Sequence, residues 1–264
     1  MFQLIFDFIF KPYFNRVKKG EGGLVVFGVT HSIVSQHGLA AILAESLLCF
    51  FTLCVLYGFN DYKDRYHDLS NPKKEQKFVR SIIQHQQRFL LLNTLAAFST
   101  IALALYIFGP EKFYIITALY LVNYSYSLRL KTVPVMDLFI VGLWGGLLGM
   151  LGGQFNLYLF LIVGVMTAIA HLFQIITDKK SDQENALTTT VVAISGSETA
   201  SIIIICALLT ATLFLYTESI WSLGGFIPAI AYFLIKRISL GWHISRFYFF
   251  VCWIYLLTYT YAGQ

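Results

Sequence analysis

The 264-residue chain is 57% hydrophobic and only 12% charged, with 24 Phe, 16 Tyr and 4 Trp. Ordinary soluble domains carry about 25% charged residues, so this chain has too few charges to cover a water-facing surface. Its composition indicates a multi-pass membrane protein and excludes secreted, nucleic-acid-binding and disordered proteins, while the net charge of +5 decides little without its distribution.

The chain begins with an amphipathic segment. Phe2, Ile5 and Ile9 recur at helical spacing, and Lys11 and Arg16 follow them. The apolar run is too short to cross a bilayer and no basic region precedes it. Residues 1–20 are therefore predicted to form an interfacial helix and not a cleaved signal peptide.

Nine apolar runs predict membrane-spanning helices, although the first, fourth and eighth are shorter than the ~20 residues that a span needs. The runs cover residues 22–38, 39–59, 88–108, 112–127, 133–153, 156–176, 199–217, 219–235 and 244–262. No second domain is visible, so one domain over residues 1–264 is predicted. The four cysteines lie inside apolar runs without metal-ligand spacing, which predicts small core-filling residues.

The basic residues fall on one side of this layout. Of the 19 Lys and Arg, 18 lie in the N-terminal segment or after the even-numbered helices, and only Lys112 lies opposite. Cytoplasmic loops are enriched in Lys and Arg, so the N-terminus and the exits of the even-numbered helices are predicted to be cytoplasmic. Glu45, about 22 Å from Asn60 along a helix, is expected to extend outward near the opposite surface.

Two clusters of aspartates stand at cytoplasmic helix exits. Asp61, Asp64 and Asp68 follow helix 2 at spacings of three and four residues, and Asp178 and Asp182 follow helix 6. If the helices continue, each cluster lies on one face, where like charges repel unless a cation separates them. A hard divalent cation with oxygen ligands, such as Mg²⁺, meets that need.

Mg²⁺ binds through one or two carboxylates, waters and substrate phosphate oxygens, and a diphosphate is the smallest substrate group that uses two clusters. Basic residues that complete such a site lie on the same side of the membrane: Lys73, Lys74, Lys77, Arg80, Arg129 and Lys131.

Three motifs resemble those of the UbiA superfamily of intramembrane prenyltransferases. The segment from Asn60 to Asp68 matches the family's NDxxDxxxD motif, Asp178 to Asp182 matches its DxxxD motif, and Tyr124 to Lys131 is similar to its Tyr/Lys segment. The resemblance covers nearly the whole chain. It implies an all-α integral membrane protein of nine helices around a central cavity, with a polar cytoplasmic cap.

The resemblance also implies a function and its residues. The expected reaction is Mg²⁺-dependent transfer of a prenyl group from an isoprenyl diphosphate to a small aromatic or lipid-soluble acceptor, with membrane lipids around the enzyme. The implied metal and diphosphate ligands are Asn60, Asp61, Asp64, Asp68, Asp178 and Asp182. Tyr124, Arg129 and Lys131 would position or neutralise the leaving group, and Lys77 and Arg80 would support the diphosphate.

Two further polar residues lie near these motifs. His171 is two helical turns before Asp178 on about the same face, so it is a candidate contact for the acceptor; a hydrogen-bonded packing histidine is the alternative. Asp137 begins helix 5 on the cytoplasmic side, where it either supports the aspartate clusters or caps its helix.

The chain departs from the family after the first motif. Residues 71–81 keep basic character but lack the Arg-Pro and glycine of the family's RPxxxG-like stretch. This departure leaves two related functions open, namely cyclisation of a prenyl diphosphate without acceptor and transfer of phosphoribose to a polyprenyl phosphate. A transporter of polyanions or divalent cations is a third alternative, disfavoured because the charged groups concentrate at one membrane face.

Overall fold

The computed structural model describes residues 6–18, 23–35, 38–69, 74–184, 187–194, 196–235 and 238–262. All regular structure in these ranges is helical, and it divides into two compact units, Met1–Leu128 with Leu151–Gly153 and Arg129–Met150 with Gln154–Gln264. Parts of the sequence predictions, namely Phe2, Ile5 and Lys73, lie outside the described residues.

The first unit is built around one long helix, α3. Its helices are α1 (Lys11–Lys18), α2 (Leu24–Val34), α3 (Leu39–Leu69), α4 (Gln76–Gln84), α5 (Gln86–Leu103) and α6 (Pro110–Leu128). A π-helical turn, Phe6–Phe10, precedes α1, and α3 packs against the other five helices. Leu53 and Leu56 of α3 and Ile116 and Leu119 of α6 are fully buried, so the apolar core of this unit lies along α3.

The second unit is arranged around another long helix, α8. Its helices are α7 (Met136–Gly149), α8 (Leu157–Glu184), the single turn α9 (Thr190–Ala193), α10 (Glu198–Thr217), α11 (Ile227–Ile235) and α12 (Ile238–Tyr261). A glycine face on α7 that includes Gly142 and Gly146 allows the backbone of α8 to approach closely, as small residues do between membrane helices. Phe173 of α8 and Trp253 of α12 fill the core.

Five helical segments of the described chain are long and apolar enough to cross a membrane. They are Leu39–Leu69, Gln86–Phe108, Leu157–Lys180, Glu198–Thr217 and Leu240–Tyr261. Three shorter apolar helices accompany them: Val25–Val34, Met136–Gly152 and Ile220–Leu234. Each of the nine predicted runs coincides with a helix, but length and composition support spanning for only five.

Several local predictions have a definite outcome. The four cysteines are free and buried, as predicted. The outward orientation of Glu45 is wrong, because this side chain is only 4% exposed and its charge interacts with that of buried Lys112 in the same unit. The polar stretch after the first motif also contains α4, whose Phe78 and Ile82 are buried.

Candidate functional site

The first aspartate motif lies in the last turns of α3, which continues as a regular helix to Leu69. Asp61 and Asp68 are seven residues apart, so they share one face, and they are only 6% and 4% exposed. Asp64 lies nearby on the helix and is half-buried. The continuous helix confirms the expected stacking of carboxylates, and burial of two of them demands compensation by cations.

Two basic side chains supply that compensation. The Arg16 guanidinium of α1 donates from Nη2 to Asp61 Oδ1 at 2.6 Å, and Lys74 Nζ lies 3.0 Å from Asp68 Oδ2. Arg16 also stands over the Tyr57 ring, 4.9 Å from its centroid. Such largely buried ion pairs hold their partners more firmly than exposed pairs do.

A cavity of about 210 Å³ opens beside these pairs. Its charged lining consists of Arg16, Lys18 and Lys74 with Asp61, Asp68 and Glu75. Three positive and three negative charges therefore balance, and the cavity is neutral as a whole. The apolar face of α4, including Phe78, forms the apolar part of the cavity lining.

The donor chemistry of this cavity suits Mg²⁺, which prefers carboxylate oxygens and keeps several other ligands from water or phosphate. Within the described ranges, no group of three or more His, Cys, Asp or Glu stands close enough to hold a metal ion. Helical geometry explains this, because Asp61 and Asp68 are separated by about 10 Å along the helix axis. The motif thus offers one or two carboxylates to an ion, which is the usual number for Mg²⁺ with phosphate.

The other expected residues of the first unit are placed differently. Asn60 accepts a hydrogen bond from the Ser127 hydroxyl near the end of α6, and the half-exposed Tyr124 ring packs 5.2 Å from Phe59. Lys77 and Arg80 are exposed on the face of α4 opposite its buried residues. The structure therefore brings Arg16 and Lys74 to the aspartates, and leaves these two cations facing outward.

Tyr13 of α1 also packs against α3, with its ring centroid 6.3 Å from that of Tyr57. Burial of the ring, with a smaller contribution from the Cys54 thiol, raises the pKa of Tyr13 above its usual value. Tyr13 is therefore neutral at physiological pH and adds no negative charge beside α3.

In the second unit, α8 continues through the second aspartate motif to Glu184. Asp178 and Asp182 are half-buried, and Asp182 Oδ2 accepts a hydrogen bond from the Thr189 hydroxyl at 3.3 Å. The next residue, Thr190, donates its backbone N–H to Asp137 Oδ2 at 2.8 Å and its hydroxyl to Asp137 Oδ1. Asp137 is 1% exposed, and its hydrogen bonds to Thr190 anchor the segment whose Thr189 contacts Asp182.

His171 of the same unit lies in an electrostatic cluster. Its ring hydrogen-bonds with Gln174 and interacts with the charges of Asp137, Asp178 and Lys131. Lys131 is half-buried, whereas Arg129 is exposed. The hydrogen bond favours a packed histidine, and its acidic neighbours keep it adjacent to the second motif.

Sequence reasoning missed Arg16, Ser127 and Thr189, which contact the motifs, and Thr190, which contacts Asp137. Arg16 and Ser127 are 45 and 67 residues from their partners, whereas Thr189 is only seven residues from Asp182. A partial signal existed in the three consecutive threonines at residues 188–190, since hydroxyl groups beside an acidic motif are suited to orient carboxylates. Arg16 had no local signal beyond its place on an amphipathic segment.

Solved structures share this fold. A UbiA homolog from Archaeoglobus fulgidus bound to DMAPP and Mg²⁺ is 18% identical, with a TM-score of 0.63 over 89% of this chain and 95% of that one. A UbiA homolog from Archaeoglobus fulgidus bound to GPP and Mg²⁺ is 16% identical, with a TM-score of 0.67 over 93% of this chain and 99% of that one. A structure of digeranylgeranylglyceryl phosphate synthase is also 16% identical, with a TM-score of 0.62 over 94% and 95%.

The sequence itself carries the family assignment. No curated protein sequence shows a significant match to the chain. The sequence model of the UbiA prenyltransferase family, however, matches residues 24–249, which include both aspartate motifs and the Tyr/Lys segment. The chain is therefore an integral, multi-pass membrane protein of the UbiA prenyltransferase family.

Proposed function

We propose that the protein transfers a prenyl group from an isoprenyl diphosphate to a small aromatic or lipid-soluble acceptor, with release of diphosphate and a requirement for Mg²⁺. The observation that carries this proposal is the pair of buried carboxylates, Asp61 and Asp68, on one face of α3 beside a cavity that is also lined by Arg16, Lys18 and Lys74. Structures of the Archaeoglobus homolog bound to DMAPP or GPP with Mg²⁺ support the substrate class.

The two aspartate motifs supply the proposed ligands. The residues assigned to the metal and the diphosphate are Asn60, Asp61, Asp64, Asp68, Asp178 and Asp182. When bound, Mg²⁺ stabilises the negative charge that develops on a departing diphosphate. The chain's own part is to hold these oxygens in place, through Ser127 on Asn60 and Thr189 on Asp182.

Cationic and aromatic side chains complete the proposed site. Tyr124, Arg129 and Lys131 position the leaving group, with Lys131 as the half-buried cation beside His171. Lys77 and Arg80, which face outward, are expected to attract the anionic substrate without holding it. Exposed charges act mainly on association, so their removal is expected to change KM more than kcat.

Diphosphate release tests this mechanism. The purified protein in lipid should release diphosphate from DMAPP, GPP or longer prenyl diphosphates in the presence of Mg²⁺ and a lipid extract, and EDTA should stop the release. Asp64→Ala and Asp178→Ala should each abolish it. The matched control is Glu184→Ala, which removes an exposed carboxylate from the same helix as Asp178. Release that survives both aspartate changes would refute the mechanism.

The altered loop at residues 71–81 gives a specific reason to test a second function, namely cyclisation of the prenyl diphosphate itself. Mass spectrometry of products formed with and without the lipid extract separates the two reactions. A product that appears only with the extract supports transfer, whereas a cyclic hydrocarbon or alcohol without it supports a cyclase. Incubation of a polyprenyl phosphate with a phosphoribosyl diphosphate donor covers the third reaction.

We also propose that all nine apolar runs span the membrane, that one domain covers residues 1–264, and that the N-terminus and both motifs are cytoplasmic. The family match, residues 24–249, includes parts of both compact units and supports a single domain. The location of 18 of 19 Lys and Arg on one predicted side supports the orientation. Labelling of single cysteines introduced at loop positions in sealed vesicles would test it.

A further inference from the structure

The contact between Arg16 and Asp61 joins the first motif to a part of the chain outside the family match, which begins at residue 24. The segment that carries Arg16 is firmly anchored. Phe8, in the turn before α1, is buried against Phe78 and Phe89, and Lys11 pairs with Glu75 at 2.8 Å. The packing of its segment therefore holds Arg16 in place at the cavity.

The position of Arg16 has an energetic consequence. Its side chain is 16% exposed, and Asp61 and the Tyr57 ring face its guanidinium. If a divalent cation takes the Asp61 carboxylate, Arg16 gives up this ion pair while it remains largely buried. Loss of an ion pair by a largely buried charge is costly, so an incoming anion at this position would be favoured.

The charge balance of the cavity indicates which anion fits. The lining is neutral without an ion, and one divalent cation would raise its net charge to about +2. A diphosphate offsets this excess of positive charge, and a planar guanidinium is well matched to phosphate oxygens. Lys18 and Lys74 line the same cavity and add two further phosphate donors.

We infer that Arg16 is a diphosphate-binding residue that forms an ion pair with Asp61 when no metal is bound. This inference rests on the proposed function and deepens it. Arg16 competes with the divalent cation for Asp61. After the cation has displaced Arg16 from Asp61, the Arg16 guanidinium binds the diphosphate. Binding of metal and binding of diphosphate are coupled through this one side chain, because each makes the other more favourable.

Metal binding measured without turnover tests the inference. Mn²⁺, which electron paramagnetic resonance detects, is titrated into the lipid-reconstituted protein alone and with inorganic diphosphate, and the Mn²⁺–diphosphate complex is subtracted with a protein-free control. For Arg16→Gln we expect Mn²⁺ alone to bind about threefold to tenfold more tightly. We expect the enhancement of Mn²⁺ binding by diphosphate to fall by about fivefold or more.

Two further variants separate a binding role from a structural one. Arg88→Gln removes an exposed cation from α5 of the same unit, away from the cavity lining, and both affinities should remain as in the wild type. Arg16→Lys keeps the charge but not the planar donor group, so competition with Mn²⁺ should persist while the coupling to diphosphate weakens. A binding role for Arg16 predicts opposite changes in Arg16→Gln: the affinity for Mn²⁺ alone rises, and its enhancement by diphosphate falls. A loosened site would lower both quantities.

The outcomes distinguish this inference from the proposed function. If the wild type shows binding of Mn²⁺ that diphosphate enhances, and Arg16→Gln is identical or loses both affinities together, the role of Arg16 is refuted and the metal site stands. If the wild type binds no Mn²⁺ with or without diphosphate, the proposed metal site and the role of Arg16 are both refuted.

Discussion

Replacement of Asp137 tests how the second motif is held. Asp137 is buried at the start of α7 and accepts three hydrogen bonds, from the backbone N–H groups of Leu138 and Thr190 and from the Thr190 hydroxyl. Thr190 is itself buried, and the neighbouring Thr189 donates to Asp182. Asp137→Ala should therefore destabilise the fold and loosen the return of the chain to Asp182.

The size of the effect follows from the donors left behind. In Asp137→Ala the N–H and hydroxyl of Thr190 lose their acceptor in a buried position, and each such group costs about 1–3 kcal/mol. The expected loss is roughly 2–6 kcal/mol, which corresponds to a fall in Tm of about 4–24 °C for a chain of this size. Asp137→Asn keeps one carbonyl oxygen, so its loss should be about half as large.

Thermal unfolding in detergent, followed by tryptophan fluorescence, measures these shifts. Thr190→Val is a partial variant, because it removes the hydroxyl that donates to Asp137 and accepts from the Val135 N–H, while the backbone bond to Asp137 remains; its Tm should lie below the wild type. Affinity for Mn²⁺ should also fall in Asp137→Ala, since Asp182 is held less firmly. A Tm within about 2 °C of the wild type for Asp137→Ala would refute this reasoning.

Three other substitutions probe the packing of each unit, all read as Tm in the same assay. Gly146→Leu should lower Tm by several degrees or prevent folding, because a Cβ at this position would lie 2.6 Å from the Phe160 carbonyl oxygen; an unchanged Tm would contradict the close approach of α7 and α8. Lys112→Met should cost about 1.5–3 kcal/mol, since the buried ammonium donates to the Gly153 carbonyl, and a gain in stability would show that burial of the charge outweighs this bond. Val135→Gly should raise Tm slightly, because Val135 has a φ of 71°, which is strained for a β-branched residue; a lower Tm would show that no strain is relieved.

Much of the framework was predictable from local sequence. Hydropathy located every long helix, and the spacing of Asp61, Asp64 and Asp68 showed that they would share one face if the helix continued past the apolar run, as α3 does. Both predictions depend on residues within a few helical turns of one another, where backbone geometry alone relates the side chains. The prediction failed for Glu45, which is buried and whose charge interacts with that of Lys112, 67 residues away.

The partners of the site residues were less predictable. Lys77, Arg80 and Lys74 were equivalent as basic residues in one polar segment, but the amphipathic α4 turns the first two outward while Lys74 reaches Asp68. The apolar Phe78 and its neighbours decide this orientation, because their burial sets which face of α4 meets the protein.

The sequence by itself determined the membrane class, the family and the positions of the acidic motifs, because composition and short-range spacing carry that information. Only the tertiary structure decided which side chains complete those motifs. Arg16 and Asp61 are 45 residues apart, and Asp137 and Thr190 are 53 apart. Such pairs form because packed helices bring distant segments together, and no local pattern records which charge or hydroxyl each buried carboxylate meets.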